Sequence, residues 1–120
     1  MRLREAVPMD AAHIAEIERS VAQHPWSTAQ FLNSCRSAQE QVWVLESDAG
    51  AVTGFAVCQL VAGDASLLNI AVSSDYQGQQ HGAALLQAVL RAARAAGAVR
   101  CLLEVRCSNG GAIALYRKYG

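Results

Sequence analysis

Residues 65–73, ASLLNIAVS, form a nearly uninterrupted apolar run. A half-buried strand alternates apolar and polar residues, so this run reads as a strand buried on both faces. It ends in SSDYQGQQHG, a polar segment with two glycines. Beyond that segment, Leu85, Leu86, Val89, Leu90 and Ala93 recur at helical spacing, and Gly97 is a natural stop. VRCLLEV (99–105) then reads as another strand. Strand, helix and strand in that order predict an α/β domain with a mixed central sheet.

The flanking segments extend this pattern. LREA is a short opening strand, and residues 10–22 place Ile14, Ile17 and Val21 on one face of an amphipathic helix. Pro25 keeps His24 out of the helical region. Ser27 with Gln30 makes a capping box, so a second helix starts at Thr28, with Trp26 placed to staple against Phe31. QVWVLES (41–47) and AVTGFAVCQLVA (51–62) are strands joined by a turn at Asp48-Ala49-Gly50, the second bulged near Gly54. Gly63-Asp64 turns the chain into the apolar run, and 109–119 reads as a last helix. The predicted order is β-α-α-β-β-β-α-β-α in one domain, 1–120.

Composition narrows the class. The chain is 52% hydrophobic and 17% charged, enough apolar material for a core. Ten basic and ten acidic residues cancel, and the arginines are scattered, which argues against a nucleic-acid footprint. No N-terminal apolar stretch is long enough for a signal peptide or a membrane span. The four cysteines, 35, 58, 101 and 107, have neither metal-site nor redox-motif spacing. They read as reduced thiols of a cytoplasmic protein, with no metal expected.

A glycine-bearing loop feeding a helix N-terminus presents backbone N–H groups to phosphate oxygens. It is equally an ordinary tight connection between strand and helix, and neither the dinucleotide fingerprint nor the P-loop fits it.

Three segments carry a resemblance: His24-Pro25-Trp26-Ser27, LNIAVSSDYQ (68–77) and, most specifically, LEVRCSNGGAIALYRKYG (103–120). On these the chain resembles the GNAT acetyltransferases, and most closely the RimI-type group, over essentially its whole length. That resemblance implies acetyl-coenzyme A as co-substrate and a protein N-terminus as acceptor, in this group the N-terminal alanine of a small-subunit ribosomal protein. It implies that Ile70, Ala71 and Val72 pair their backbone with the pantetheine arm, the Val72 N–H polarising the thioester carbonyl. Gly78, Gln79, Gln80, His81, Gly82 and Ala83 would wrap the pyrophosphate. The family's loop reads Gln/Arg-x-x-Gly-x-Gly/Ala. Gln77 and Gly82 match its outer positions, whereas Gln80 replaces the inner glycine and Gly78 a frequent arginine. Asn109 would bond the cofactor near its thiol end, or cap the last helix.

The resemblance also implies catalytic roles for Glu104, as the base that deprotonates the acceptor ammonium, and Tyr116, as the acid that protonates the departing thiolate. Read alone, Glu104 is a strand-end carboxylate facing water or Arg106, and Tyr116 a core aromatic beside Ile113. In the RimI group two more strands follow the position of Gly120. Without them the fold would lack its last two strands, and an open sheet edge could pair with a second copy. Two alternatives stay open: an acetyltransferase for a small-molecule amine, and a non-catalytic coenzyme A binder.

Overall fold

The structure, a computed structural model, describes residues 2–61, 63–73, 81–97 and 100–103. Within them the chain runs β1 (Arg2–Glu5), a 3-10 turn (Pro8–Asp10), α1 (Ala11–Val21), α2 (Thr28–Arg36), β2 (Glu40–Glu46), β3 (Val52–Val61), β4 (Asp64–Val72), α3 (His81–Ala95) and β5 (Arg100–Leu103). This matches the expected α/β order up to the last strand. The helix expected over 109–119 lies outside the described residues.

The five strands form one sheet in sequential order. β1 to β4 are antiparallel neighbours, with α1 and α2 between β1 and β2 and short turns joining β2 to β3 and β3 to β4, while β4 and β5 are parallel. A parallel pair needs a crossover, and α3 supplies it. The turns fall where glycine permits positive φ, at Gly50 (86°) and Gly63 (84°), and α3 is followed by Gly97 at 101°.

Two apolar clusters lie on opposite faces of the sheet. On one face Leu85, Leu86, Val89 and Ala93 of α3 pack with Ala56, Cys58, Leu67, Ile70 and Val72. On the other, Ile14, Ala15 and Ile17 of α1 and Phe31 of α2 pack with Val42, Val44, Phe55, Val57 and Ala71. β3 alternates between them, Phe55 and Val57 toward α1 and α2, Ala56 and Cys58 toward α3. The capping box forms as expected: the Gln30 amide donates to Ser27 Oγ at 3.1 Å, and the Ser27 amide to Gln30 Oε1 at 2.7 Å. Trp26 lies on Phe31 with ring centroids 5.3 Å apart, and Phe31 meets Phe55 edge-on at 5.1 Å.

Two register shifts matter for the site. Leu45 pairs with Gly54 but Glu46 with Val52, so Thr53 is an extra residue of β3, beside the glycine where the bulge is expected. Val57 pairs with Asn69 but Cys58 with Leu67, so Leu68 is an extra residue of β4. An unbroken strand would turn residues 67 and 70 to opposite faces. The bulge takes up the odd residue, so Leu67 and Ile70 both join the α3-side cluster, while Asn69 and Ala71 face α1 and α2.

Candidate functional site

The C-terminal half of β4 is the centre of the candidate site. Asn69, Ile70, Ala71 and Val72 are all buried, whereas the first half of the strand alternates. Ile70 and Val72 are committed to the α3-side core and Ala71 to the other. Their side chains are thereby occupied with packing. The described β4–β5 pairing runs from Asp64–Arg100 to Leu67–Leu103, and residues 69–72 continue β4 beyond it.

Past Val72 the chain reaches Ser73, whose amide donates to the Thr53 carbonyl at 2.8 Å. Gly78, Gln79 and Gln80 lie outside the described residues. α3 begins at His81, so His81, Gly82 and Ala83 form its first turn, where backbone N–H groups have no partner within the helix. No acidic residue stands in that turn to compete with an anionic ligand. Glu104, Asn109 and Tyr116 lie outside the described residues; β5 is described as far as Leu103, the residue before Glu104.

A feature missed in the sequence stands on the α1 side of β4. Glu18 is 1% exposed, and its Oε2 accepts from Asn69 Nδ2 at 2.7 Å and from the Trp26 amide at 3.2 Å. One signal could have revealed it: position 18 follows Ile14 by four residues, inside the apolar stripe of α1.

A separate hollow of about 570 Å³ lies between α1 (His13, Glu16, Ser20) and the β2–β3 turn (Gly50, Ala51), with Ser73 at its edge. Arg4 also lines it, but its guanidinium holds Asp10 through two bonds of 2.8 and 2.9 Å and Glu46 at 3.0 Å. These pairs lower the Asp10 carboxyl, chiefly through the bond from Arg4, and the Glu46 carboxyl, through Arg2 and then Arg4. Burial pushes the Cys35 thiol up, which leaves it little thiolate character. Among the described residues no group of three or more His, Cys, Asp or Glu could hold a metal ion, and no helix is long and apolar enough to cross a membrane.

Comparison with known proteins places this geometry. The chain matches the Acetyltransferase (GNAT) family over residues 11–120. It is 35% identical over 116 residues to the ribosomal protein bS18-alanine N-acetyltransferase of Escherichia coli, covering 97% of this chain and 76% of that one. The crystal structure of the ribosomal-protein-S18-alanine N-acetyltransferase from Escherichia coli superposes with a TM-score of 0.86 at 33% identity, over 99% of this chain and 76% of that one. The PaiA N-acetyltransferase of Thermoplasma acidophilum, solved with coenzyme A, shares the fold at a TM-score of 0.84 and 18% identity, over 99% of this chain and 87% of that one. A double-faced core around a bulged β4, a crossover helix and matched sequence across 110 residues all agree: the chain belongs to the GNAT family of acetyltransferases.

Proposed function

We propose that this protein moves the acetyl group of acetyl-coenzyme A to the N-terminal α-amino group of a protein, the acceptor being the N-terminal alanine of a small-subunit ribosomal protein, and that it does so in the cytoplasm. The observation that carries the reading is the 35% identity to the Escherichia coli alanine N-acetyltransferase across 97% of the chain. The buried 69–72 stretch, whose Ile70, Ala71 and Val72 side chains pack into the two cores, supports it.

In this reading Ile70, Ala71 and Val72 hold the pantetheine, and residues 78–83 hold the pyrophosphate against the first turn of α3. Asn109 bonds the cofactor near sulfur. Glu104 takes a proton from the acceptor ammonium, and the freed amine attacks the thioester carbonyl carbon. A C–N bond forms, and the Val72 N–H steadies the oxyanion. The C–S bond then breaks, the electron pair leaves with sulfur, Tyr116 supplies the proton that makes the thiol, and the second proton on the acylated nitrogen returns to the Tyr116 phenolate through water, which leaves a neutral amide.

The test is acetyl transfer to a peptide beginning with alanine, for this chain and for Glu104→Gln. The expected result is turnover by the parent chain and a loss of about 10²–10⁴-fold in kcat/KM for the variant, with coenzyme A affinity retained. Coenzyme A binding without turnover by the parent chain would point to a binder instead. Equal rates for parent and variant would remove Glu104 from the mechanism.

A further inference from the structure

Thr53 is 0% exposed and is the residue that β3 carries in excess of β2. A bulge leaves its extra residue out of the ladder and disrupts the pairing there. The Thr53 side chain makes good part of that loss, because its hydroxyl donates to the Leu45 carbonyl of β2 at 3.2 Å. Toward β4, the Thr53 carbonyl accepts from the Ser73 amide at 2.8 Å. The register of β3 with β4 ends at Gly54 and Val72, so this bond carries the pairing one residue further. One residue therefore ties β2, by its side chain, to the end of β4, by its main chain. Valine has the same shape and would bury no polar group, so packing does not call for a hydroxyl here. What the hydroxyl adds is orientation. It holds the bulged residue so that its carbonyl meets Ser73. The peptide unit joining Val72 to Ser73 is planar, so a bond on its N–H fixes the whole unit, the Val72 carbonyl included.

From these bonds we infer that Thr53 is a positioning residue for coenzyme A. Its hydroxyl holds the bulge of β3, the bulge holds Ser73, and Ser73 fixes the end of β4 beside Val72. The inference rests on the acetyltransferase reading above, in which Val72 meets the thioester. It gives Thr53 no contact with the cofactor and no part in proton transfer.

The experiment compares the parent chain with Thr53→Val, which keeps the shape and removes the hydroxyl, and Thr53→Ser, which keeps the hydroxyl. Ser34→Ala is the control. It also removes a buried hydroxyl bonded to β2, through Glu40 at 2.9 Å, but at the opposite end of that strand. Two quantities are read: the coenzyme A Kd by calorimetry, and the exchange rate of the Ser73 amide hydrogen by NMR. In Thr53→Val the coenzyme A Kd should rise about tenfold, and the Ser73 amide should exchange about tenfold faster. Thr53→Ser should return both most of the way to the parent. Ser34→Ala should leave both within about twofold of the parent. If Thr53→Val does not fold, Ser73→Pro removes the amide donor and leaves the side-chain bond. Its coenzyme A Kd is then judged against that of Ser34→Ala.

An unchanged coenzyme A Kd in Thr53→Val would overturn the inference. So would a Thr53→Ser as weak as Thr53→Val, or a Ser34→Ala that weakens binding as much, since the effect would then be one of stability at large. If the parent chain binds coenzyme A but does not acetylate an alanine-starting peptide, the functional reading fails instead, and the same Kd comparison still decides the role of Thr53. If the parent chain does not bind coenzyme A, both fall together.

Discussion

Arg4 and Asp10 join the opening strand to the start of α1. The guanidinium grips the carboxylate through two bonds, and Asp10 also accepts from the Val7 amide at 2.8 Å. Because these bonds lower the carboxyl in the folded chain, the unfolded chain takes up the proton first as pH falls. The stabilisation is therefore complete above about pH 4, the range of an unfolded aspartate, and is lost progressively below it. Urea midpoints between pH 6 and pH 3 should fall more steeply for the parent chain than for Asp10→Asn; parallel slopes would count against the pair. The capping box at Ser27 and Gln30 was legible in the sequence because its partners are three residues apart. Glu18 was not, because its burial depends on Asn69, 51 residues away, and on a strand bulge that turns that amide toward it.

At the scale of elements, Gly54 of β3 stands where a side chain would press on β4 and α3. A Cβ there would stand 3.0 Å from the Ala71 carbonyl oxygen and 3.4 Å from both Leu85 Cδ2 and Val72 Cγ2. Ala71 and Val72 lie in the stretch proposed to hold pantetheine, so a push from β3 bears on stability and on binding alike. Gly54→Ala should cost about 1–3 kcal/mol in chemical denaturation and weaken coenzyme A binding by calorimetry. A variant as stable as the parent would show that the sheet gives freely there. The bulge in β3 could be foreseen because a glycine inside a strand pattern marks it. The bulge at Leu68 had no such mark, since leucine fits either face of a strand buried on both sides. Only the pairing of Val57 with Asn69 and of Cys58 with Leu67 reveals it.

Over the whole molecule the sheet separates two cores, and residues 69–72 of β4 contribute to both. A ligand seated along that stretch touches the folded state alone, so binding should appear as stability. At 100 times Kd the gain is about 2.7 kcal/mol, and acetyl-coenzyme A should raise the melting temperature in a concentration-dependent way. No shift at millimolar ligand would argue against cofactor binding by this chain. The order and type of the described strands and α-helices, the α/β class and the turn signals at Gly50 and Gly63 were present in the sequence, because apolar period, caps and glycines are local properties that the chain carries whatever it packs against. The family was legible for a related reason: its motifs are contiguous. What the tertiary structure alone decided is which side chains meet across the fold. The shift of facing at Leu68, the bond from Asn69 to Glu18, and the bond from the Trp26 amide to Glu18 depend on strand register and helix placement. Those are set by how two cores close at once on one sheet, and no local pattern encodes them.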